Sequence, residues 1–99
     1  MKTPIHDIPD MDTLRDRIDA LDAALIALLG ERRLLIDQAA RIKRRIGLPA
    51  RIDARVEEVV ANARRHAADQ GLDPELIDRI WRQLIEAAIA QEDAQLAQG

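Results

Sequence analysis

Apolar side chains in the first half of the chain recur at steps of three and four: Met11, Leu14, Ile18, Leu21, Leu25, Leu28, then Leu35, Ala39, Ile42 and Ile46. That spacing puts them on one stripe of an α-helix, in a heptad-like seam. The helix is expected to start at Asp10 or Asp12, either of which can cap it, and to stop at Gly47-Leu48-Pro49. A second helical pattern starts near Asp53, a plausible N-cap, and runs to Gln70, with Gly71 as its C-terminal stop. Its apolar stripe is Val56, Val59, Val60, Ala63 and Ala67. Asp73-Pro74-Glu75 opens a third, with Asp as N-cap, Pro at the first helical position and Glu in the first turn; it continues to about Ala97. No stretch alternates with period two over a strand's length, so the fold class is all-α: one long helix and two shorter ones. Residues 1–9, with Pro4 and Pro9, read as an extended leader, and residues 10–99 as one helical domain.

Length turns this pattern into a statement about assembly. A helix of about 35 residues is on the order of 50 Å long, whereas a compact domain of this size has a radius of gyration of only about 13 Å. The apolar seam would therefore be left uncovered within one chain of 99 residues. An identical chain is the simplest cover, which makes an intertwined helical homodimer the expected architecture.

Composition narrows the chemistry. The chain is 47% apolar and 33% charged, with no Cys and Trp81 as its one aromatic residue. Without Cys there is no disulfide framework, thiol nucleophile or Cys-ligated zinc. His6 and His66 are far apart and neither begins a metal-spaced motif, so no metal, cofactor or Ser-His-Asp triad is expected. A net charge of −3 gives no general attraction to nucleic acid. The Arg41-Ile42-Lys43-Arg44-Arg45 cluster does not change this, because three of its cations face outward and no aromatics interleave. The first residues lack an apolar segment typical of a signal peptide, and no apolar run approaches membrane-spanning length. A cytoplasmic location is expected.

Some charged residues interrupt the apolar pattern. Continuing the seam four residues past Leu28 reaches Arg32, which lies among Leu25, Leu28, Leu29, Leu35 and Ile36 on a helical wheel. Lys43, eleven residues on, points within about 20° of the same direction. Long stems can snorkel their charges to water. The other reading is that two inward cations with no acid on their own stripe bind an anion. Arg15 projects about 100° away from Arg32, so it cannot easily share a site with it in one chain but could reach a partner's. Arg55 opens the second helix beside its apolar stripe. On the third helix Glu92 prolongs the face of Leu84, Ile85 and Ala88, where a solvated Glu is the plain alternative.

In these residues the chain resembles the all-α chorismate mutases and their relatives, the isochorismate pyruvate-lyases of salicylate biosynthesis. The similarity runs from about Leu14 to Glu92. Its strongest piece is Leu14-Arg15-Asp16-Arg17-Ile18-Asp19-Ala20-Leu21-Asp22, followed by Leu25 to Arg33. Lys43 then falls at the family's catalytic lysine spacing, Pro49 in its inter-helix loop, and Gly71-Leu72-Asp73 at the start of helix three.

The resemblance implies a site for a cyclohexadiene dicarboxylate bearing an enolpyruvyl ether. Arg32 and Arg55 would grip carboxylates and Arg15 would arrive from the other subunit, since a guanidinium matches a planar carboxylate. Lys43 would bond a carboxylate and the ether oxygen, and Glu92 sits where the family carries a Gln or Glu that contacts the same oxygen. Only a protonated Glu can donate there, so mutase activity is expected to rise at acidic pH unless burial holds the carboxyl neutral. Val56 stands where typical mutases place a Glu, Ile52 where they place an Asp, and Ala88 replaces a small polar residue of some members. The end of the pocket that reads the ring hydroxyl is therefore unusually apolar.

The expected activity is the rearrangement of chorismate to prephenate, on the route to aromatic amino acids. Lyase action on isochorismate, toward which Arg55-Val56 tilts, is the runner-up. An enzyme for a 4-amino analogue or a non-catalytic dimerisation module are lesser alternatives.

Overall fold

A computed structural model describes residues 3–98. After a 3-10 turn at Ile5–Asp7 come three helices: α1 (Met11–Ile46), α2 (Asp53–Asp69) and α3 (Pro74–Ala97). No strand occurs among the described residues. The turn in the leader, closed by Asp7 N–H donating to the Pro4 carbonyl, departs from the extended run expected there.

The caps explain the helix boundaries. Asp10 caps α1: its Oδ1 accepts from Thr13 N–H at 2.7 Å, and its carbonyl from Leu14 N–H. At the far end Gly47 takes φ +79°, a conformation that costs glycine little. There the Lys43 carbonyl accepts from both Gly47 and Leu48 N–H, at 2.8 and 2.9 Å. Asp73 caps α3 by accepting from Glu75 N–H at 2.9 Å, with Pro74 in the first turn. Asp53, expected as the cap of α2, is instead its first helical residue. Ile52 is the cap, without a side-chain bond, because its extended backbone (φ −125°, ψ 102°) already presents its carbonyl to Arg55 and Val56 N–H. Gly71 turns the chain after α2 at φ +73°, and α2 ends at Asp69 with Gln70 as its C-cap.

The chain divides into two compact units, one ending at Arg33 and the other beginning at Leu34. In the first, the seam residues Met11, Ile18, Leu21, Leu25 and Leu28 are all exposed. The second holds the rest of α1 with α2 and α3. Its core is Ala50, Val60, Ile85 and Ile89, with Val56, Val59 and Leu96 packed against it. Ala40, Ala63, Ala67 and Ala88 are buried as well. Removing a Val or Ile side chain from water is worth about 1.5–3 kcal/mol. Ile85 and Ile89 on α3 and Val60 on α2 make that contribution where the two helices meet. No helix is long and apolar enough to cross a membrane.

Candidate active site

The last turns of α1 carry Lys43, and the apolar pattern turns it inward beside α3. Its ammonium donates to the Ala50 carbonyl at 2.7 Å and lies 2.9 Å from Glu92 Oε1. Both side chains are largely withdrawn from water, 17% exposed for Lys43 and 6% for Glu92. The acid missing from Lys43's own stripe is thus supplied by α3. Glu92 is buried, not solvated as an acid near a helix end usually is, because it continues the face of Ile85, Ala88 and Ile89. Its Oε1 meets the ammonium outside hydrogen-bond angles, and no other donor reaches that oxygen among the described residues. An ammonium has three N–H bonds. One is committed to the Ala50 carbonyl, which leaves donor capacity beside Glu92 for an oxygen atom.

The other expected site residues are buried to different degrees. Ala88, one helical turn before Glu92, is buried. Ile52 and Val56 are half-buried, Val56 against the core. Arg55 is exposed and its guanidinium is taken up by Glu58, three residues on. In the unit ending at Arg33, Arg32 is half-buried and Arg15 exposed.

Other polar contacts beside Lys43 escaped the sequence pattern. Asp37 Oδ1 accepts from the side-chain amides of Gln91 and Gln95, and Arg44 donates to the Gln95 carbonyl. The available signal was modest: a polar residue on each side of Glu92, spaced to share a helix face. Away from the site, α2 and α3 are bridged by surface ion pairs. Arg82 donates to both Glu57 oxygens at 3.1 Å and to Asp78 at 2.8 Å, and Arg64 reaches Asp78 and Glu75. Those hydrogen bonds, from Arg82 first, hold the Asp78 and Glu57 carboxyls below their ordinary values of 3.8 and 4.5.

Three kinds of curated relative carry the same stretch. A T-protein of Enterobacter agglomerans is 31% identical over 86 residues, covering 87% of this chain but 23% of its own length. A 4-amino-4-deoxychorismate mutase of Streptomyces pristinaespiralis is 35% identical over 89 residues, 90% of this chain and 69% of its own. An isochorismate pyruvate lyase of Pseudomonas aeruginosa is 30% identical over 93 residues, 93% of this chain and 89% of its own. The chain thus spans under a quarter of the T-protein and most of the other two. No solved structure matches. The family model described as chorismate mutase type II matches residues 14–93, from the start of the apolar seam to just past Glu92. With an all-helical fold that sinks Lys43 against α3, the chain belongs to the chorismate mutase type II family.

Proposed function

We propose that the chain is a chorismate mutase, acting as a homodimer without a cofactor. The observation that carries this reading is Lys43, held by the Ala50 carbonyl beside buried Glu92 with donor capacity to spare. In the rearrangement the ether C–O bond of chorismate breaks as a C–C bond forms, by a cyclic movement of electrons with no proton transferred. The reaction needs a folded, near-attack substrate and positive charge at the ether oxygen, where electron density accumulates. Lys43 supplies that charge from a rigid helix end. Arg32 and Arg55 grip the two carboxylates, Arg55 by leaving Glu58. Arg15 comes from the other subunit. Protonated Glu92 donates to the ether oxygen, while its anion holds Lys43. Ile52, Val56 and Ala88 line the ring.

A homodimer is supported by the exposed seam of α1, where Leu21, Leu28 and Leu35 are 63%, 60% and 69% accessible within the chain. The enzyme would then serve aromatic amino acid synthesis in the cytoplasm, as one helical domain over residues 10–99 preceded by a short leader.

One feature favours a second reading, isochorismate pyruvate lyase yielding salicylate and pyruvate. Val56 is packed against the core beside Arg55, so nothing polar at that position reads a ring hydroxyl. The relatives named for isochorismate and for 4-amino-4-deoxychorismate support the same class of substrate. The deciding experiment supplies chorismate, isochorismate and 4-amino-4-deoxychorismate separately, from about pH 5 to 8, and identifies the products. Rapid prephenate formation from chorismate establishes the mutase. Salicylate and pyruvate with only traces of prephenate establish the lyase, and turnover of the amino compound alone establishes the third activity.

A further inference from the structure

We propose that Asp37 is a positioning residue for the chemistry at Lys43, acting through its grip on Gln91 and Gln95; this rests on the reading of Lys43 and Glu92 above. Glu92 Oε1 is buried without a hydrogen-bond donor, facing Lys43 at 2.9 Å. No hydrogen bond at that oxygen fixes it, so its distance from the ammonium depends on how α3 sits on α1. Asp37 determines that seating. It lies six residues before Lys43 on the same helix and accepts from the amides of Gln91 and Gln95, which flank Glu92. The two amides are four residues apart, so both present to one face. A carboxylate acceptor makes each bond stronger than a neutral one would. Arg44, the residue after Lys43, adds a bond to the Gln95 carbonyl. The segment that carries Glu92 is thereby tied to α1 both before and after Lys43.

The test compares kcat and KM for the substrate the wild type converts, in Asp37→Ala, Asp37→Asn, Glu92→Ala and the double variant Asp37→Ala/Glu92→Ala. Folding of each is followed by Trp81 fluorescence. Misplacing a reacting group by a fraction of an ångström to one ångström costs about tenfold to a hundredfold. Asp37→Ala is expected to lower kcat by that factor with KM little changed. Asp37→Asn, which keeps a carbonyl acceptor for a glutamine amide, recovers most of the rate. Once the Glu92 carboxylate is gone there is nothing left for Asp37 to position, so adding Asp37→Ala to Glu92→Ala costs almost nothing more.

Unchanged kcat in Asp37→Ala, a rise in KM alone, or the same further loss with and without Glu92 overturns the proposal. If Asp37→Ala does not fold, the pair Gln91→Leu and Gln95→Leu removes the donors instead and is judged by the same criteria. Failure of the wild type to convert any of the three substrates overturns the functional reading and this proposal together. A converting wild type with additive losses overturns the positioning role alone.

Discussion

Lys43 is anchored at both ends. Its carbonyl closes the last turn of α1 by accepting from Gly47 and Leu48, and its ammonium is held by Ala50 and faces Glu92. The residue therefore serves the fold and the proposed chemistry, and substitutions can separate the two. Lys43→Met leaves the buried Glu92 carboxylate without a counter-charge, which costs about 3–5 kcal/mol of stability. Adding Glu92→Met removes the stranded carboxylate and should restore most of that stability, because a buried ion pair is often no better than apolar packing. Urea unfolding followed at Trp81 measures both effects, and a Lys43→Met chain as stable as the wild type would contradict them. Activity should not return with stability: Lys43→Ala and Arg32→Ala are each expected to lose about 3–4 kcal/mol of transition-state stabilisation. Wild-type turnover in both variants would remove the site altogether. Glu92 gives a separate signature. Only a protonated carboxyl donates to an ether oxygen, whereas the amide of Glu92→Gln donates at every pH, so this substitution should alter the pH–rate profile. An unaltered profile takes Glu92 out of contact with the reacting oxygen.

The surface ion pairs that bridge α2 and α3 bring an acid-sensitive share of stability at the scale of elements. Arg82 is held above its ordinary value by Glu57 first and Asp78 second, so it keeps its charge and only the carboxylates titrate. Both carboxyls are depressed in the folded chain. Their contribution is complete above the unfolded values of 3.8 and 4.5 and disappears as pH falls through the lower folded ones. Arg82→Ala should therefore lower Tm near neutral pH and make Tm fall less steeply on acidification, with the difference shrinking in high salt. Parallel Tm–pH curves for the two proteins would show that the bridges carry no linkage. The elements themselves were legible because their signals are local. Asp73-Pro74 starts α3, and Gly47 and Gly71 take the positive φ that their places after a helix demand. Ile52 displaced Asp53 as cap of α2 because backbone conformation, not a side-chain oxygen, starts that helix. The inward turn of Lys43 was also legible, from the helical wheel. Its partner was not, nor was the Asp37 grip, whose residues lie 54 and 58 positions apart and meet only when α3 docks on α1. No periodicity within a helix encodes which residue of another helix it will face.

For the whole molecule, the seam of α1 is the feature that one chain leaves unresolved. Met11, Ile18, Leu21, Leu25, Leu28 and Leu35 are spaced to form one stripe, yet all are exposed within the chain. A contiguous exposed apolar stripe points to an interaction surface. In the proposed homodimer a second copy would cover the seam with an equivalent one, since a twofold interface is built from the same patch on both subunits. Leu25→Glu should then yield monomers in sedimentation experiments. The proposed role of Arg15 makes a sharper prediction. Arg15→Ala and Lys43→Ala dimers should each be nearly inactive, because every site lacks one of the two cations. When the two variants are unfolded together at equal concentration and refolded, about half the dimers are mixed. If Arg15 serves the site of the opposite subunit, each mixed dimer has one site with both defects and one with neither, and activity recovers to about a quarter of the wild-type value. If Arg15 serves its own subunit's Lys43, every site in the mixture still lacks one cation and no activity returns. Recovery would thus require both a dimer and an arginine that crosses it, and a mixture no more active than its components would exclude the crossing.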